Sequence, residues 1–191
     1  MRIFGLFICF SCMIACNHSA KLNPENDFVE YIIQAGEQYS SNNTIRIVDS
    51  ISEMKFIARF DSTAIYTSLD SINQYDINKL YGFSDNNTMH HANSARIGWC
   101  WLHQKLQLFG YIYNDSVRSS QYIKSVALNT NIDCSIKVAT NKYIFTIDGT
   151  TITMPRTATI AKGYQLFPYF GGDEVAPHLI RIWIKDNSVY K

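Results

Sequence analysis

Period-two alternation, turn-forming pairs between the alternating runs, and a scarcity of amphipathic helical stretches predict an all-β chain. The expected architecture is a two-sheet antiparallel β-sandwich with one short helix. The elements follow in order. Residues 28–33 and 44–48 are the first two strands. In Glu53–Phe60 the apolar set Met54, Phe56, Ala58 and Phe60 alternates with Lys55, Ile57 and Arg59, the pattern of a half-buried strand. Residues 71–81 are the exception and predict one short helix capped by Asp76, lying across a sheet end. A polar loop over 84–88 leads into a long strand over 94–103. A second strand over 106–113 turns at Asn114-Asp115 and returns through 117–123. The strongest local signal is the run 134–138, a turn at Thr140-Asn141, the run 143–147, a turn at Asp148-Gly149, and the run 151–154 stopped by Pro155. An Asp-Gly pair between alternating runs predicts a two-residue hairpin. Two last strands, 164–170 and 179–184, flank the loop 171–178. Phe56, Phe60, Ile136, Val138, Phe145, Ile147, Ile180 and Ile182 are the expected core.

The N-terminus is different in kind. Arg2 is followed by an apolar run through Ala15, too short for the roughly 20 residues of a bilayer span but suited to an export signal. Met13-Ile14-Ala15-Cys16 resembles the lipobox of bacterial lipoproteins, with Met13 where Leu is usual. The resemblance implies a signal peptide over 1–15 and lipidation of Cys16 with palmitate-like acyl chains. It also implies an outer-membrane address on the periplasmic or cell-surface side. Residues 16–27 then read as a polar tether and 28–191 as a single sandwich domain. Removal of 1–15 takes away only Arg2, leaving 16 basic against 16 acidic side chains. Neutrality argues against nucleic acid as a partner, and 47% hydrophobic residues argue against disorder. Of the five cysteines only Cys100 and Cys134 fall in the domain. They are expected as buried thiols, although export permits a disulfide.

Within the domain, the order of Trp-rich strand, Tyr-Asn-Asp turn, Tyr143–Asp-Gly hairpin, Phe170-Gly171-Gly172 and a closing Ile-Arg-Ile-Trp-Ile strand resembles the concanavalin A-like jelly roll of lectins and laminin G modules. Several glycoside hydrolases and polysaccharide lyases share that fold. The stretches 73–85, 90–99 and 169–178 resemble a group of uncharacterised lipoproteins of Bacteroidetes-type bacteria. Cys100 stands where that group carries a basic residue. The resemblance implies a fold and an address; it implies no reaction.

Candidate ligand-binding residues come from two sets. His90, His91 and Arg96 in one region and Asp173, Glu174 and His178 in another supply imidazole, guanidinium and carboxylate groups suited to a polar ligand if the fold joins them. The alternative is a set of solvent-facing histidines and a structural turn or salt bridge. Trp99 and Trp101 share one strand face, as do Tyr111 and Tyr113, and aromatic faces stack on sugars as readily as they fill a core. One Trp is expected inside and the other open. Adjacent histidines on a strand point to opposite faces, so His90-His91 do not chelate jointly. No metal, cofactor or catalytic residue is expected: zinc-type Cys/His spacing, a Gly-x-Ser-x-Gly elbow, a phosphate loop and an alternating carboxylate pair are all absent. The reading is a membrane-anchored, non-catalytic binding module, with glycan as the expected ligand. A glycan hydrolase or lyase, and a structural or protein-interaction domain, are the alternatives.

Overall fold

Strand alternation and tight turns organise the computed structural model, which describes residues 27–188. Twelve strands form among them: β1 (Val29–Ile33), β2 (Ile47–Val48), β3 (Glu53–Phe60), β4 (Asn78–Ser84), β5 (Ser94–Leu102), β6 (Lys105–Asn114), β7 (Val117–Val126), β8 (Ile132–Ala139), β9 (Lys142–Ile147), β10 (Thr150–Pro155), β11 (Gly163–Leu166) and β12 (Ile180–Asp186). They make two six-stranded antiparallel sheets, ordered β1-β12-β3-β8-β9-β10 and β2-β11-β4-β5-β6-β7. This is the all-β two-sheet sandwich that the alternation predicts, and the jelly roll that the resemblance implies.

Alternation sets the faces. Met54, Phe56, Ala58 and Phe60 point from β3 into the interior, and Ala95, Ile97 and Trp99 point inward from β5. Rings meet across the two layers: Phe56 lies 5.1 Å from Tyr81 and Phe60 lies 5.2 Å from Trp99, centroid to centroid. Each fully buried side chain of this size contributes about 1.5–3 kcal/mol. Seven of the eight expected core residues are fully buried; Val138 is half-buried near the end of β8. Cys100 and Cys134 are buried and unbonded, and burial pushes both thiols up.

The hairpins obey their turn residues. Asp148 and Gly149 take φ of 42° and 77°, the left-handed pair of a type I′ turn. The β6–β7 turn falls on Asp115-Ser116, one residue later than expected, because Asn114 pairs with Val117.

Three expectations need correction. The helix over 71–81 is a 3-10 turn at Ser71–Tyr75, capped at its N-terminus by Asp70, whose side chain accepts from the Ile72 amide. Asp76 ends the turn, and β4 begins two residues later. The stretch has strand-forming Tyr81 and Phe83 after it and too few helical residues to nucleate. The strand over 44–48 shrinks to Ile47–Val48, and that over 164–170 to Gly163–Leu166 with an isolated bridge at Tyr169. Pro168, with no amide hydrogen, interrupts the ladder there.

Candidate functional site

Once β5 places Ala95, Ile97 and Trp99 inward, Arg96 must point out of the sandwich. Register then puts Tyr111 opposite Arg96 and Tyr113 opposite Arg118. Lys79 pairs with Gly98, whose missing side chain keeps this stretch low: a Cβ there would stand 2.3 Å from Ile77 Cγ2. The result is a cleft of about 480 Å³ on the outer face of the second sheet, within the roughly 300–1,000 Å³ of small-ligand sites. Lys79, Arg96, Arg118, Tyr111 and Tyr113 line it from the strands. His90, His91, Tyr39, Tyr164 and Tyr169 line its rim and walls, and no carboxylate of the described residues lines it.

Arg96 is the unusual group. It is 6% exposed, and its Nε is buried without a hydrogen-bond partner. No ion pair to it occurs among the described residues. Burial lowers its pKa, and the rings of Tyr111, Tyr164, Tyr113 and Tyr169 surround it. Lys79 is better served: its Nζ donates to the Gly171 carbonyl at 2.7 Å and lies 5.3 Å and 5.5 Å from the ring centroids of Tyr111 and Tyr169. Burial, then repulsion from Arg96, brings its pKa down to about 8.

His90 and His91 lie in the turn before β5 with their rings tilted against each other and centroids 4.2 Å apart, which corrects the expectation of opposite strand faces. The His90 amide donates to the Tyr164 hydroxyl oxygen at 3.1 Å, and that hydroxyl lies 2.9 Å from His90 Nδ1. Burial, Arg96 and His91 hold the His90 pKa at about 4, so the ring is neutral at pH 7. A Tyr164 hydroxyl donating to Nδ1 corresponds to the tautomer with its proton on Nε2, and one accepting from Nδ1 to the other tautomer. Among the described residues no group of three His, Cys, Asp or Glu is placed to hold a metal.

The structure therefore joins His90, His91, Arg96, Tyr111 and Tyr113 and separates them from the other candidates. Trp99 is fully buried, 5.2 Å from Phe60 and 5.8 Å from Tyr66, so it is core. Trp101 is half-buried against the same core and offers its carbonyl to Gln74 Nε2 at 2.6 Å. Glu174 accepts from the amides of Leu69 and Asp70 and from Asn73 Nδ2, which lowers its pKa and ties the loop to the 3-10 turn. His178 Nε2 lies 3.0 Å from the Thr63 carbonyl. Asp173 is exposed outside the cleft. The expected approach of the 171–178 loop holds only through its first residues: Gly172 lines the cleft, and the Gly171 carbonyl accepts the hydrogen bond from Lys79 Nζ. Arg96 pairs with neither carboxylate. Sequence reasoning missed Lys79, Arg118, Tyr164 and Tyr169. Face parity was the available signal for Lys79 and Arg118. Nothing in the local pattern marks the two tyrosines, which arrive from strands distant in sequence.

No family model and no curated protein matches the chain. Solved structures do resemble it. One is the alginate lyase AlyC3, with a TM-score of 0.52 at 10% identity over 85% of this chain and 69% of that one. Another is a mixed-linkage glucan GH16 protein of Bacteroides ovatus, with a TM-score of 0.52 at 12% identity over 83% and 78%. A third belongs to a study of endo-acting O-glycanases of the human gut microbiota, with a TM-score of 0.53 at 9% identity over 83% and 76%. The fold is the concanavalin A-like jelly roll. Its neighbours are glycan-active proteins, and at these identities the likeness extends to the fold alone.

Proposed function

We propose that the chain is a lipid-anchored outer-membrane protein whose cleft binds glycan without transforming it. The observation that carries the binding reading is Arg96, a buried cation with an unpartnered Nε on the floor of a tyrosine-walled cleft. A buried charge without a counterion is costly to a fold and is retained where a ligand completes it. Tyr39, Tyr113, Tyr164 and Tyr169 are exposed or half-buried and offer ring faces for pyranose stacking and hydroxyls for hydrogen bonds, whereas Tyr111 is itself buried. The fold shared with glycan-active proteins supports the same ligand class.

Two-carboxylate hydrolysis has no support, since Asp173 and Glu174 lie outside the cleft and no other acid among the described residues lines it. The catalytic alternative that keeps an observation is a lyase, favoured by the His90 Nδ1 to Tyr164 hydroxyl contact of 2.9 Å. A glycan array probed with the full-length protein tests binding. Hits that are lost in Tyr113→Ala and Tyr164→Ala support the reading, and an array without hits removes it. New reducing ends accompanied by unsaturated uronate ends, read by their ultraviolet absorbance, would replace the non-catalytic reading with the lyase.

A further inference from the structure

The charge of the cleft narrows the ligand class. Three permanent or near-permanent cations, Lys79, Arg96 and Arg118, line it, although the whole chain carries a formal net charge of only +1. No acidic side chain among the described residues lines it. The one acid that acts on Lys79 is Asp76, beside Gly172, and its attraction is outweighed there by burial and by Arg96. Elsewhere the molecule pairs its buried arginine with care: Arg156 is 8% exposed and grips Asp85 through Nε at 2.7 Å and Nη2 at 3.2 Å. Arg96, equally buried, has tyrosines, Lys79 and His90 near it and no ion-pair partner among the described residues. A neutral sugar presents hydroxyls, which would leave such a charge without a counterion.

Resting on the glycan reading, we infer that the cleft takes an anionic polysaccharide, with a ring carboxylate or sulfate seated on Arg96 and flanked by Lys79 and Arg118. The guanidinium fork matches either planar carboxylate or sulfate oxygens with two parallel hydrogen bonds. Arg118 is exposed at the β7 side and Lys79 is half-buried on β4, so the anion is approached from both sides of the Arg96 strand. Tyr111 stands between, buried, paired with Arg96 in register and under the Lys79 ammonium, and the more open ring of Tyr113, two residues along β6, is where a sugar ring beside the anion would stack.

The test is calorimetric titration of the full-length protein with three probes of equal length: an oligogalacturonate, a sulfated galactan oligosaccharide and a neutral cello-oligosaccharide. The proposal expects one or both acidic probes to bind at least about tenfold more tightly than the neutral one, with the stronger acid probe identifying carboxylate or sulfate. Affinity for the acidic probe should fall as salt is raised from 0.05 to 0.5 M, as screened charge requires. Arg96→Met should weaken acidic binding about 10- to 100-fold. It should also raise the melting temperature, because it removes an unpartnered buried charge; an arginine serving structure would lower it. Arg118→Ala, at an exposed position, should weaken acidic binding several-fold with an unchanged melting temperature. Equal affinity for the neutral probe, or undiminished acidic binding by both variants, overturns the anionic ligand and leaves the glycan reading standing. Failure of all three probes, together with an array without hits, overturns both.

Discussion

Arg96 and Asp85 are two buried charges handled in opposite ways. Asp85 is fully buried and accepts from Tyr143 at 2.6 Å, from Arg156 Nε and Nη2, and from the Asn86 amide at 2.8 Å. It lies just past β4, while Tyr143 is on β9 and Arg156 follows β10, so the cluster clamps the two sheets together. Asp85→Ala should lower stability by about 3–5 kcal/mol in a urea titration, since Arg156 and Tyr143 would be left without their acceptor. Sequence alone put Asp85 in a polar loop and singled out Arg96, because a charge between strands shows but its partner does not. Two protonation effects belong to this scale. The His90 pKa drops from 6.5 in the unfolded chain to about 4 in the folded one. Above pH 6.5 neither state binds the proton; as pH falls from 6.5 toward 4 the unfolded state gains it first, so stability falls across that window. His90→Phe should flatten this acid-side decline in melting temperature. Lys79 is charged below about pH 8, facing Arg96, Arg118, Asp76 and the rings of Tyr111 and Tyr169. Burial holds the Tyr111 hydroxyl near 12, so it stays neutral. Affinity for an acidic glycan should therefore fall between pH 7 and 9, read by titration at each pH.

At the scale of elements, the strands were legible where one face is buried and the other wet. Glu53–Phe60 alternates cleanly, and β3 has those bounds. Legibility failed where tertiary contacts set the ends. The short 3-10 turn at Ser71–Tyr75 depends on Asp70 as its cap and on Glu174, a hundred residues away in sequence, as an acceptor for the Asp70 amide. No helical periodicity could announce such a turn. The cleft was half legible for the same reason: His90, His91 and Arg96 are close in sequence, and Tyr111 and Tyr113 follow from one hairpin, whereas Tyr164 and Tyr169 arrive through a crossover. The hairpin at Asp148-Gly149 shows how local chemistry can suffice. Gly149 holds φ at +77° with open space where a Cβ would be, so only backbone preference is at stake. Gly149→Ala should cost about 1–2 kcal/mol, a fall of roughly 2–8 °C in melting temperature by calorimetry.

At the scale of the whole molecule, the two sheets divide the work. Inner faces of both supply the core, and the outer face of the second sheet carries the cleft. The described chain begins in the first sheet, where Val29 of β1 pairs with Ile184 of β12. An anchor at Cys16, which lies outside the described residues, would thus enter the sandwich through the layer that does not bear the cleft. The twelve residues of 16–27 can span at most about 40 Å. Lasting attachment requires more than one acyl chain, because a single one binds membranes only marginally at about 0.8 kcal/mol per methylene. Cys16→Ser should therefore move the protein from the membrane to the soluble fraction on fractionation and abolish incorporation of labelled palmitate. Because the cleft lies on the other sheet, the released variant should bind its glycan with the affinity of the anchored protein in detergent. A Cys16→Ser protein that stays in the membrane fraction would overturn the lipid anchor. A released protein with much altered affinity would instead mean that the membrane side of the molecule takes part in the site.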